Sequence, residues 1–394
     1  MLGENEMRIA NMIKKSRILH LLVSLTLLLF GATCFANNII ISPNTVISHS
    51  KTYSNATLDM TNGSFIVRKN ATLTINNCTV TGTISKKNPF LMTVIRGSLV
   101  LNNNTVNVQA VGIKPHDTTQ SLYHVIQIET GNLTMDGNTI QIDKPFTAGL
   151  LMTDPIIQTK NFNITNNRFN HFHGVLYLMN ADNALISGNT FYKNTYGNIV
   201  IFGTRSNIMG NAIYFSGNNR LGNAMDVIDS DNINIQNNLL FTPTCHGIYV
   251  LNSNNVLIDH NRVTGDITYA ITLLTYPEIS MADKEVAQLF AHHQMRNSLS
   301  TNITITNNFM SQNRFGIAAT DVNTLSVQNN TFVQRFEDSD SRKFWTDNNI
   351  LLRNVSNLSW SNNWYKEGYT QDMNGDNSQS NKLIPFPVTG GITL

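Results

Sequence analysis

Apolar and polar residues alternate with period two in short runs along this chain, and the runs recur. Ahead of Asn261 the alternating apolar positions are Ile248, Val250, Val256 and Ile258. Ahead of Asn238 they are Met225, Val227, Ile233 and Ile235. Ahead of Asn330 they are Ile317, Ala319, Leu325 and Val327, and ahead of Asn363 they are Ile350, Leu352, Leu358 and Trp360. Period two puts these residues on one face of a strand, so each recurrence reads as three short strands separated by turns. Its mark is an Asn, one variable residue and a large apolar residue. The marking residues are Asn104, Asn138, Asn167, Asn189, Asn211, Asn238, Asn261, Asn308, Asn330 and Asn363. Their spacings are 34, 29, 22, 22, 27, 23, 47, 22 and 33, which is a base period of 22 to 23 with insertions.

One such repeat cannot bury its apolar face alone, whereas stacked repeats can. The pattern therefore predicts an all-β chain folded as a single parallel β-helix, a solenoid of ~22-residue coils with a rise of ~4.8 Å per coil. Asn suits its turns, because it tolerates left-handed backbone angles and its side chain can hydrogen-bond from coil to coil. A leucine-rich horseshoe would need Leu-rich spacing and a helical return arm. A meander would need steady hairpin turns. Neither is present.

The organisation expected is a leader at 1–36, the β-helix at 37–365 and an irregular tail at 366–394. The leader has Lys14, Lys15 and Arg17, then an apolar run from Ile18 to Phe30, then Ala32-Thr33-Cys34-Phe35-Ala36. This is the layout of a secretory signal, with cleavage expected after Ala36. No later segment is apolar for long enough to cross a bilayer, so an exported, soluble, periplasmic or extracellular product is expected. Asn is absent from Arg262 to Arg296. Inside that gap Ser280 and Asp283 resemble a capping box, and Val286, Leu289, Phe290 and His293 share a helical face. One short helix is therefore expected within an insertion at 278–298. In the tail, Asp372 to Ser378 has oxygen-bearing residues at alternate positions like the start of a calcium loop. The twelfth position is Leu383 rather than an acid, so turns are expected there.

Composition narrows the function. The chain carries +2 overall. Arg8, Lys14, Lys15 and Arg17 against Glu4 and Glu6 already give +2 in the leader, so the rest sums to zero. That excludes a basic nucleic-acid-binding surface as a partner site. Hydrophobic residues make up 41% of the chain, enough for a core, and three Cys in 394 residues exclude a disulfide scaffold. Outside the leader Cys78 and Cys245 remain, to be read as two free thiols or one disulfide.

On a solenoid, outward side chains one period apart line up in columns. The position twelve before each repeat Asn holds Tyr177, Ile199, Asp226, Tyr249 and Ala318. Three residues earlier in the same registers stand Asn223 and His246, and Tyr269 follows His246 by one coil. Asp229 and Asp231 fall at the turn after Asp226. The candidate site is therefore Asp226 and His246 as acid and base, with Tyr177, Asn223, Asp229, Asp231, Tyr249 and Tyr269 around them to bind substrate. Tyrosines offer flat faces and hydroxyls to a sugar. Asp229 shares its register with Asn180, Asn252, Asp321 and Asn354, so it also fits a ladder of turn residues. No metal site is expected: His292-His293 is adjacent rather than at helical ligand spacing.

These coils, for example Cys245 to Ser253 through Ile258 to Asn261, resemble the repeats of the pectin-lyase-like superfamily, including its carbohydrate-binding, sugar-hydrolase and NosD-like members. The resemblance covers roughly Ile40 to Tyr365 and implies a right-handed helix. Asp226 with His246-Gly247 is similar to two elements of polygalacturonases. Here Met225 stands in place of the partner acid, Cys245 in place of a Gly, and Gly203-Thr204-Arg205 where Asn-x-Asp would fall. The pectate-lyase pattern would imply calcium held by Asp226, Asp229 and Asp231, with Arg205 or Arg220 as base. Lys114-Pro115-His116-Asp117 resembles an alginate-epimerase motif without its first acid. The expected function is an exported β-helix acting on or binding a polysaccharide, as a polyuronate lyase, hydrolase or epimerase. A non-catalytic glycan-binding surface protein and a NosD-like periplasmic accessory protein are the alternatives.

Overall fold

The computed structural model describes residues 37–114, 123–154, 156–195, 197–214, 222–241, 245–274, 298–333, 349–365, 368–369, 373–377 and 382–384. The chain divides into two compact units, Met1–Asn38 and Ile39–Leu394, and the architecture below is that of the second. One coil consists of His246–Leu251, Asn254–Asp259 and the opening residues of Arg262–Leu274. These three stretches lie on what we term the first, second and third faces.

Each stretch pairs in parallel with its counterparts one coil away. Met225, Ile248 and Ile271 are in register on the first face. Ile233, Val256 and Ile303 are in register on the second, and Leu240, Val263 and Met310 on the third. Parallel strands of successive turns are what a repeat of three strands per period requires. All regular structure among the described residues is strand. The helix expected at 278–298 is not seen, since residues 275–297 lie outside the described ones.

The alternating apolar positions form the interior. Met225, Ile248, Ile271, Ile317 and Ile350 stack in one column, each at most 1% exposed. Removing an aliphatic side chain of this size from water contributes about 1.5–3 kcal/mol, and only a neighbouring coil completes that burial.

The corner between the second and third faces carries the Asn series. The side chains of Asn104, Asn138, Asn167, Asn189, Asn211, Asn238, Asn261, Asn308, Asn330 and Asn363 form an unbroken ladder. In every step Nδ2 donates to Oδ1 of the next Asn at 2.8–3.0 Å. The same Oδ1 also accepts the backbone N–H of the previous Asn, as Asn238 does from Asn211 at 2.9 Å. The second Nδ2 proton goes to a backbone carbonyl, as from Asn238 to Ile208 at 2.9 Å. Each amide thus satisfies two donors and two acceptances in a buried corner.

The left-handed turn is made by the residue before the ladder Asn, not by the ladder Asn itself. Asn103, Asn166, Asn237, His260, Asn307, Asn329 and Asn362 all have φ between 53° and 56°, and Gly137, Gly188 and Gly210 take the same place in other coils. Cys78 holds the ladder position one coil before Asn104 and donates its N–H to Asn104 Oδ1 at 2.9 Å. Cys78 and Cys245 are not joined in a disulfide.

Within the segment expected to be an irregular tail, the described residues are strand. Met373–Asn377 and Lys382–Ile384 pair antiparallel with Asn349–Ser361, placing Trp360 opposite Met373 and Ile350 opposite Ile384. Met373–Asn377, within the stretch likened to the start of a calcium loop, is extended strand.

Candidate functional site

The first face brings six of the eight candidate residues together. Its outward column runs Met152, Tyr177, Val200, Asp226, Tyr249, Thr272 and Ala318, one residue per coil. Ile199, expected in this column, is instead a core residue, and Val200 takes its place. The register slips between Leu178 and Ala181, so counting back from the repeat Asn misplaces that coil by one.

A second outward column, three residues earlier, contains His246, Tyr269 and Phe315. Asn223 links the two columns. Its Nδ2 donates to Asp226 Oδ1 at 2.7 Å, and its Oδ1 accepts the His246 N–H at 3.3 Å. His246 Nδ1 lies 2.7 Å from Thr272 Oγ1. The imidazole is parallel to the Tyr269 ring at 5.1 Å, and Tyr269 is nearly parallel to Phe315 at 4.9 Å. Tyr249 leans on His246 at 5.2 Å. The ring faces of His246, Tyr269 and Phe315 are therefore turned to one another, leaving edges and hydroxyls for a ligand. Crowding by these rings desolvates His246 and lowers its pKa to about 4. It is neutral at pH 7.

Burial separates this ledge into two parts. Asn223, His246, Tyr249 and Tyr269 are half-buried. Asp226 and Tyr177 are buried, in continuity with an outer apolar cluster of Met179, Val200, Phe202, Ile228 and Leu251. The Tyr177 ring lies over Gly174, where a Cβ would collide with it. It also meets the His124 ring edge-on at 6.0 Å. His124 is 1% exposed, and neither ring nitrogen has a hydrogen-bond partner among the described residues. Burial, then the nearby His173, lowers its pKa to about 3.

The remaining candidates stand apart. Asp229 has φ 47°, matching Asn180, Asn252, Asp321 and Asn354 at 47–55°, and belongs to the corner between the first and second faces. Asp231 lies beyond that corner on the second face, where Asn254 Nδ2 donates to it at 3.0 Å. Gly247 has a packing reason: a Cβ there would stand 2.5 Å from the Ala270 carbonyl oxygen and 2.6 Å from a Val263 methyl. Arg205, considered as a base, forms a two-pronged ion pair with Asp182. The pair lowers the Asp182 pKa and raises that of Arg205, so Arg205 stays protonated. Arg220 and residues 115–117 lie outside the described residues. No group of three metal-ligating side chains occurs among the described residues.

With the fold in view, the class follows. Residues 122–263 and 246–383 match the family described as the right handed beta helix region, and the chain belongs to that family. Among solved structures it is similar to a double mutant of the periplasmic alginate epimerase AlgG, at 13% identity and TM-score 0.43, over 80% of this chain and 75% of that one. An alginate lyase is similar at 12% identity and TM-score 0.40, over 89% and 87%. A hyperthermoactive exopolygalacturonase from Thermotoga maritima is similar at 7% identity and TM-score 0.42, over 85% and 96%. These likenesses are of fold. No curated protein matches the chain.

Proposed function

We propose that this chain is an exported right-handed β-helix protein that binds a polysaccharide on its first face, along the ledge of Asn223, Asp226, His246, Tyr249 and Tyr269. The observation that carries the reading is the hydrogen-bonded and stacked linkage of these five residues across adjacent coils, with the Asn223 side chain bonded to the His246 backbone. Polar edges fixed in place by stacked rings suit a hydroxyl-rich ligand, because little side-chain entropy is lost when it binds. A neutral imidazole serves here as a hydrogen-bonding edge. With a pKa near 4 it is a poor proton carrier at neutral pH, where catalysis favours groups titrating near the working pH. Asp226, held by Asn223, is the group best placed to assist turnover.

The test is to incubate the purified chain with uronate-rich and neutral polysaccharides, with and without calcium, and to read retention and products. Unsaturated fragments would mark a lyase, saturated fragments a hydrolase, and altered stereochemistry at unchanged mass an epimerase. Retention without product is the expected outcome. Neither retention nor product on any polymer would reject the proposal.

A further inference from the structure

The third face carries a different surface. The residue three after the ladder Asn points outward there, and in consecutive coils it is Tyr192, Tyr214 and Phe241. The residue one after the Asn is also outward, and it is Arg168 at the start of this block and Arg262 at its end. Four coil steps separate these arginines, about 19 Å at the spacing of paired strands.

Tyr214 and Phe241 are 6.5 Å apart and tilted by 57°, so neither ring covers the face of the other. Phe241 is 38% exposed. Arg168 and Lys193 approach the Tyr192 ring at 5.7 and 5.2 Å, and Arg262 approaches Phe309 at 5.1 Å. The third-face stretches Arg168–Asn170, Thr190–Tyr192, Ala212–Tyr214, Leu239–Phe241 and 262–264 contain no Asp or Glu, and the strand begun by Arg262 carries one acid, Asp266, beyond that face. In a chain whose charges sum to zero outside the leader, this is a concentration of one sign.

We infer that this face is a second carbohydrate-binding surface, and that its ligand is a linear anionic polysaccharide lying along the solenoid axis. Tyr214 and Phe241, on adjacent coils, fit the apolar faces of successive sugars. Arg168, Lys193 and Arg262 fit their carboxylates or sulfates, with guanidinium groups suited to paired oxygens. The choice of a carbohydrate rests on the reading of the first face, whereas the ring and charge pattern does not.

The test is affinity electrophoresis of the full chain in gels containing alginate, polygalacturonate, a sulfated glycan or neutral dextran. The variants are Tyr214→Ser/Phe241→Ser, Arg168→Gln/Arg262→Gln and the first-face variant His246→Ala, each checked for an unchanged Tm. The expected result is retardation by acidic polymers but not by dextran. It should weaken at least tenfold in either third-face variant and decline with salt in the wild type. Retention of full retardation in both third-face variants, with loss in His246→Ala, would overturn this inference and leave the first-face reading standing. Retardation by dextran equal to that by the acidic polymers would overturn the anionic assignment. No retardation by any polymer would overturn both readings.

Discussion

The Asn corner and the first-face ledge are built from the same coils, yet they use polar groups in opposite ways. In the corner every amide repeats the bonds of its neighbour, so ten side chains form one buried series. In the ledge column that holds His246, no two coils present the same group. Asn223, His246, Tyr269 and Phe315 follow one another in a single column, joined by one hydrogen bond and two ring stacks. Repetition fixes a fold, because each coil templates the next. Departure from repetition marks a site, because that register no longer serves the stack alone.

The largest effect expected is from breaking the corner. Asn238→Ala removes four hydrogen bonds and leaves the buried Asn211 N–H without its acceptor. At about 1 kcal/mol per bond, with an added penalty of about 1 kcal/mol or more for the orphaned donor, the loss should be at least about 5 kcal/mol. Urea denaturation measures it, and a loss below about 1 kcal/mol would show that the ladder is ornamental.

The next effect comes from His124. Its folded pKa of about 3 lies below the ordinary 6.5, so protons favour the unfolded chain. Its contribution is complete above pH 6.5 and is lost as pH falls from there toward about 3. At pH 5 the loss should be about 2 kcal/mol, and it should vanish in His124→Leu. A pH series of Tm values for both proteins checks this.

The smallest effect is at Asp229. Asn occupies the equivalent left-handed position in three other coils, as Asn180, Asn252 and Asn354. Asp229→Asn should therefore change stability by less than about 0.5 kcal/mol and leave glycan retention unaltered. A clear loss of retention would return Asp229 to the site.

This contrast also explains what could be read from the sequence. The corner was legible because its Asn recur and because period-two alternation marks the inward positions, such as Ile248, Val250, Val256 and Ile258. The ledge was legible in part: Asp226, Tyr249 and the His246–Tyr269 step follow from the period. Three features were not. The slip that exchanges Ile199 for Val200 arises in the pairing of coils, and spacing from the Asn carries no trace of it. The linking role of Asn223 depends on side-chain direction. The division of the turn between one left-handed residue and one hydrogen-bonding Asn depends on backbone angles. The third-face aromatics did have a signal, the position three after the repeat Asn at Tyr192, Tyr214 and Phe241.

The central claim is that the ledge is a recognition surface. The most direct test is calorimetric titration of the wild type and His246→Ala with oligosaccharides of the best-retained polymer, with Tm measured alongside. The account predicts at least a tenfold weaker affinity in His246→Ala at an unchanged Tm. Equal affinity in the two proteins would contradict it.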